Sequence, residues 1–120
     1  MSLLAHRGHD DRPWGSFDRF TQNESSTVKL LTVAPNKRLS LQQHAHRSEY
    51  WRVISGSGSA HIGDKEYTAQ PGDEFEVPTG TLHRLTAGPT GLLILEIALG
   101  DFDETDIVRL EDDFGRTAGP

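Results

Sequence analysis

The sequence predicts an all-β fold, a single-domain antiparallel jelly-roll β-barrel. Helical periodicity is almost absent along the chain. Short runs rich in β-branched and aromatic residues recur instead, parted by turn signals about every ten residues. The length, 120 residues, fits one domain and one closed core.

The elements follow in order. A first strand is expected over 16–21, ended by the turn Asn23-Glu24-Ser25-Ser26. A second covers 27–33 and is broken by Pro35-Asn36. Strands over 39–46 and 50–54 come next, and Ser55-Gly56-Ser57-Gly58 turns the chain into 59–62. Gly63-Asp64 makes a hairpin tip before 66–69. Pro71-Gly72 introduces 73–77, and Pro78-Thr79-Gly80 introduces 83–87. The most apolar run, 92–99, belongs in mid-sheet, and 107–110 closes the series. Residues 1–11 are polar and expected to be loose, 12–116 form the domain, and 117–120 are a tail. Trp14 and Phe17 are expected to pack under the N-terminal strand.

Composition excludes several roles. The formal net charge is -6, which argues against nucleic acid as a partner, since phosphate backbones need a positive footprint. One local Lys/Arg pocket would still serve a small anion. There is no cysteine, so any metal must use imidazole, carboxylate or amide oxygen. No apolar run reaches the length of a membrane span and no signal peptide is visible, so a soluble cytoplasmic protein is expected.

The chemistry concentrates in LSLQQHAHRSEYWRVISG, residues 39–56. On a regular strand, alternate side chains share a face, so Gln42, His44 and His46 would point the same way. Glu49 returns a carboxylate from the next stretch, and His83, just after Pro78-Thr79-Gly80, is the obvious distant partner. Neutral imidazole with carboxylate and amide oxygen suits one borderline divalent ion such as Zn, Mn, Fe or Ni. Exposed strand histidines are common, so a lone His-x-His is weak evidence. The second cluster strengthens it.

With these residues in place the chain resembles the cupin superfamily, whose two motifs can both be traced. The first runs Gly, five residues, His-x-His, three or four residues, Glu, six residues, Gly. Here Asn36, Gln42-Gln43-His44, Glu49 and Gly56 keep that spacing, with Asn36 in the Gly place and Gln42 in the first His place. The second runs Gly, five residues, Pro-x-Gly, two residues, His, three residues, Asn. Gly72, Pro78, Gly80 and His83 match it, and Ala87 stands where Asn is usual.

More narrowly, KRLSLQQHAHRSEYW resembles the C-terminal domain of type II mannose-6-phosphate isomerases, in which a cupin follows a GDP-mannose pyrophosphorylase domain. Similar stretches are Arg12-Pro13-Trp14-Gly15, residues 78–85 and residues 107–116. The resemblance implies Gln42, His44, Glu49 and His83 as metal ligands, in preference to a triad of His44, His46 and Glu49. The pyrophosphorylase half lies outside this sequence, so nucleotidyl transfer is not expected of it.

The resemblance implies a metal-dependent aldose–ketose isomerase that interconverts mannose 6-phosphate and fructose 6-phosphate through an enediol. His46 is the expected proton shuttle, with His61 behind it. The substrate phosphate calls for guanidinium or ammonium groups. Arg38 and Arg116 come first, then Lys37 and Arg84, with Arg47 and Arg109 also near the motifs. Trp51 could offer a sugar ring an apolar face, whereas Glu111-Asp112-Asp113 reads as a solvated acidic turn. The competing readings are another cupin enzyme, such as a dioxygenase, and a non-catalytic sugar- or metal-binding module. By family analogy the partners are a small sugar phosphate and a second copy of the chain, with no nucleic acid and no membrane.

Overall fold

In the computed structural model, residues 3–117 are described. They form nine strands and no α-helix. These are β1 (Gly8–Arg12), β2 (Gly15–Arg19), β3 (Ser26–Val33), β4 (Leu41–Gln43), β5 (Arg47–Ile62), β6 (Lys65–Ala69), β7 (Glu74–Val77), β8 (His83–Gly100) and β9 (Val108–Glu111). The antiparallel jelly-roll expectation holds.

Two long strands organise the barrel. β5 and β8 run antiparallel along almost their whole length, from Arg47↔Gly100 to Ile62↔His83. The first half of β5 also pairs with β7 and the second half with β6. β8 is central, as its apolar run predicts: residues Leu92 to Leu99 lie between β5 and β3. Along β5, inward residues such as Trp51 and Val53 alternate with less buried ones. They join Ala60, Val77, Leu85, Leu92 and Ile94 in the main core.

The turn signals at 55–58 and 88–91 act as a corner, not as chain ends. Gly56 pairs with Leu92 and Gly58 with Ala87, so residues 88–91 bulge opposite the single Ser57. A Cβ on Gly56 would sit 2.1 Å from the Gly91 carbonyl oxygen, which explains the glycine that ends the first motif. The two strands expected on each side of that corner therefore merge into one. At the motif's other end Asn36 has φ 61°, a left-handed conformation that asparagine tolerates better than most residues, so it can replace the usual glycine.

The N-terminal segment differs from expectation. β1 lies within the stretch expected to be loose and pairs with β2 as a separate two-stranded sheet. Ahead of it, Leu4 is buried against Tyr50 and Ile97. Arg7 forks onto the Glu74 carboxylate, and the Leu3 amide donates to Glu76. Trp14 and Phe17 do not pack beneath this sheet. Trp14 sits at the hairpin tip, 73% exposed, and Phe17 is exposed under the Arg12 guanidinium. A two-residue tip on a lone hairpin has nothing to pack against.

Candidate metal centre

One register contact brings the two distant motifs together. Gln42 of β4 lies directly opposite His83, the first residue of β8. β4 ends at Gln43, and the chain then bends through Ala45 and His46 into β5, whose third residue is Glu49. His44, Glu49 and His83 are all buried, and one donor atom from each lies within 4.8 Å of the others.

Backbone carbonyls fix both imidazoles. His44 Nδ1 lies 2.7 Å from the Asp106 carbonyl oxygen, and His83 Nδ1 lies 2.9 Å from that of Thr81. A carbonyl only accepts, so each Nδ1 carries the proton and each Nε2 presents its lone pair inwards. His83 Nε2 is 3.1 Å from Glu49 Oε1, and His44 Nε2 is 3.7 Å from Glu49 Oε2. Glu49 Oε1 is buried without a hydrogen-bond donor. Lone pairs facing one another in a dry site are costly unless a cation sits among them.

The Gln42 amide completes the set. Its Nε2 lies 3.5 Å from His44 Nε2 and 3.4 Å from His83 Nε2, and its Oε1 accepts from Ser40 Oγ at 2.7 Å. To offer oxygen instead, the amide must turn over, and the Ser40 hydroxyl can serve either orientation because it both donates and accepts. Two imidazole nitrogens, a carboxylate and an amide oxygen fit a borderline divalent ion.

The electrostatics point the same way. Burial pushes the His44 imidazole below its usual range, partly opposed by the Asp106 carbonyl and by Glu49, so it is a neutral donor at pH 7. A second carboxyl, Glu96, shares the floor. Burial alone would raise Glu49, but the neighbouring His83, Glu96 and His44 outweigh it and bring the carboxyl down. Glu96 goes the other way, raised by burial, by the hydrogen bond with Glu49 and by that residue's charge. One proton shared by two close carboxyls gives this split. Trp51 Nε1 donates to Glu96 Oε1 at 3.2 Å.

Of these groups Gln42, Glu49, Trp51 and Glu96, together with Arg47, line a cavity of about 260 Å³. Lys29, Arg109 and Arg116 make its rim cationic, with Glu104 beside Lys29. Of the expected substrate-binding residues, Arg116 and Trp51 line this cavity. Trp51 is fully buried, its ring edge-on to His83. The others are placed elsewhere. His46 is exposed because β4 stops at Gln43 and the alternation stops with it, so the motive for a shuttle role is gone. His61 bonds the Gly63 carbonyl at the far end of β5. Lys37 is exposed in a turn. Arg38 is exposed and forks onto Asp113 at 2.8 Å. Arg84 follows His83 and so faces away, bonding the Leu39 carbonyl and Glu111.

The acidic turn explains part of this. Glu111, Asp112 and Asp113 hold Arg84, Arg116 and Arg38 respectively, so the turn is a set of counter-charges and not simply solvated. Sequence reasoning overlooked Glu96, Ser40, Lys29 and Asp106. Glu96 did leave a signal: it is the one charge in the most apolar run of the chain.

Comparison with known proteins now bears on this site. Residues 3–112 match the model of the family described as mannose-6-phosphate isomerase C-terminal. The chain belongs to that family. It is 42% identical over 111 residues to the alginate biosynthesis protein AlgA of Pseudomonas aeruginosa, covering 91% of this chain and 23% of that protein. Against the xanthan biosynthesis protein XanB of Xanthomonas campestris it is 40% identical, covering 88% and 23%. Against the mannose-1-phosphate guanylyltransferase ManC of Salmonella typhimurium it is 36% identical, covering 88% and 22%. The chain thus spans about a quarter of the length of these curated relatives.

Solved structures confirm the cupin fold. The capsular polysaccharide assembling protein CapF of Staphylococcus aureus superimposes with a TM-score of 0.66 at 21% identity, over 88% of this chain and 32% of that one. A double-stranded β-helix protein of Klebsiella pneumoniae gives 0.64 at 21%, over 75% and 78%. Among the described residues no helix is long and apolar enough to cross a membrane.

Proposed function

We propose that this cupin is a metal-dependent aldose–ketose isomerase interconverting mannose 6-phosphate and fructose 6-phosphate. The observation that carries the reading is a buried donor set beside a cavity that two of its members, Gln42 and Glu49, line and that Lys29, Arg109 and Arg116 make cationic. Gln42, His44, Glu49 and His83 would hold one divalent ion, Zn, Mn, Fe or Ni. When bound, such an ion would supply Lewis acidity to the sugar oxygens at C1 and C2.

The chain's own residues would do the rest. Isomerisation removes the C2 proton of the aldose, forms an enediol and returns a proton to C1. That needs a base inside the cavity, within reach of the sugar carbons. Glu96 replaces His46 as the shuttle on this reading. It lines the cavity beside the donor set, whereas Glu104 at the rim is exposed and tied to Lys29. Trp51 would hold Glu96 in place through its indole N–H. Arg116, Arg109 and Lys29 would meet the phosphate, Arg116 after release from Asp112 and Lys29 after release from Glu104.

The expected homodimer in the cytoplasm remains part of this proposal. In support, β3 pairs only with β8 among the described residues and carries exposed Val28 and Leu30 beside its open edge. The reading is tested by a coupled assay of mannose 6-phosphate isomerisation with each divalent metal added back, alongside Glu49→Ala and His83→Ala. Turnover in the parent protein that both substitutions abolish is the expected result. Metal binding without turnover in any metal would favour a non-catalytic binding module.

A further inference from the structure

The Arg47 guanidinium is buried against the donor set. Its Nη2 lies 3.2 Å from His44 Nε2 and its Nε 3.4 Å from Glu49 Oε2. On its other side Nη1 donates to the Asp103 carbonyl at 3.2 Å, and Cζ sits 4.4 Å from the Phe102 ring centroid. The group lines the cavity and is 7% exposed.

A guanidinium stays protonated in a protein, so Nη2 must be the donor to His44. An imidazole Nε2 has one lone pair. It can accept from Arg47 or bind a metal ion, but not both. Two neighbouring positive charges in a buried site also repel strongly. Phe102 and the Asp103 carbonyl hold the guanidinium without using His44 or Glu49, so it has somewhere to remain when those contacts break.

We propose that Arg47 is a resident counter-cation: it satisfies His44 and Glu49 in the metal-free protein and must release His44 when a divalent ion binds. This rests on the metal-centre reading above. Arg47 therefore sets the metal affinity from outside the ligand set, acting as a positioning residue. The isomerase activity is not needed to test it.

The experiment is a calorimetric titration of the metal-free chain with Zn²⁺, parent against Arg47→Met. A purely structural arginine would weaken binding when lost. A resident counter-cation predicts the opposite, an affinity at least about tenfold tighter in the variant. Equal or weaker affinity in a folded Arg47→Met would overturn the proposal while leaving the metal centre standing. If Zn²⁺ binds neither protein, both readings fall. Should Arg47→Met not fold, nitrogen-15 NMR of the parent decides. The Arg47 side-chain N–H signals are expected to shift and exchange faster on Zn²⁺ saturation, and signals that stay unchanged would overturn the proposal.

Discussion

Glu49 and Tyr50 are neighbours on β5, and each anchors a polar network on its own side of the sheet. On the inner side, Gln42, His44, Arg47, Glu49, His83 and Glu96 cluster together beside the cavity. On the outer side, Tyr50 donates to Glu74 at 2.8 Å, Arg52 bonds the same carboxylate at 3.0 Å, and Arg7 forks onto it from the N-terminal segment. Both networks join segments far apart in the chain. The outer one is saturated, each charge meeting an opposite charge. The inner one is not: Glu49 Oε1 has no donor, and the His83 lone pair is turned towards it. A buried polar cluster that satisfies itself is a clasp, whereas one that leaves acceptors facing each other is built for a cation.

The largest expected effect would break the comparison at the inner network. Replacing His83 by Ala removes a donor that no neighbour can supply. Zn²⁺ affinity should drop more than about a hundredfold, measured by competition with a chelator. Loss of less than about tenfold would mean that the inner cluster is another self-satisfied clasp.

Glu96→Gln separates proton transfer from metal holding. The isomerase kcat should fall about 10²- to 10⁴-fold while metal affinity changes little, since the amide still accepts from Trp51. A fall in metal affinity with kcat retained would return Glu96 to a purely structural role.

The outer network should respond in stability alone. Glu74→Gln leaves Arg7 and Arg52 without their shared partner and should cost about 2 kcal/mol, discounted for partial exposure, in chemical denaturation. Metal affinity should not move. The pH dependence sharpens this. The hydrogen bond from Arg7 is the main cause that brings the Glu74 carboxyl down to about 2, with burial opposing and Tyr50 assisting. A depressed carboxyl binds fewer protons folded than unfolded, so its stabilisation is present above the unfolded value of 4.5 and is lost as pH falls towards 2. The stability gap between parent and Glu74→Gln should therefore close over that window.

The smallest effect belongs to the rim. Arg116 is half exposed and already paired with Asp112. Arg116→Ala should raise KM for the sugar phosphate a few-fold, about the worth of one exposed ion pair, with kcat unchanged.

How much of this was legible varies by residue. Strand after strand could be located because turn residues and alternating apolar positions act locally. The candidate ligand set came from the resemblance of two motifs to a known family, and the fold brings His44, Glu49 and His83 of that set together. His46 was misjudged for a local reason: two-residue alternation was carried past Gln43, where the backbone leaves the strand and Asp106 ties the Ala45 and His46 amides. Arg38 and Arg84 were misplaced for a long-range one. Nothing near Arg38 or Arg84 in the chain says that residues 111–113 will neutralise them.

The sequence by itself determined the all-β class and the strand periodicity, because each depends on residues a few positions apart; Gln42, His44, Glu49 and His83 entered as candidate donors through a family resemblance. Only the tertiary structure decided which cations face the cavity, that Glu96 shares its floor and that Arg47 occupies the acceptors. Those depend on the antiparallel register of β5 on β8 and of β4 on β9, a pairing between segments tens of residues apart. A shift of one residue there would turn every side chain of the strand to the opposite face.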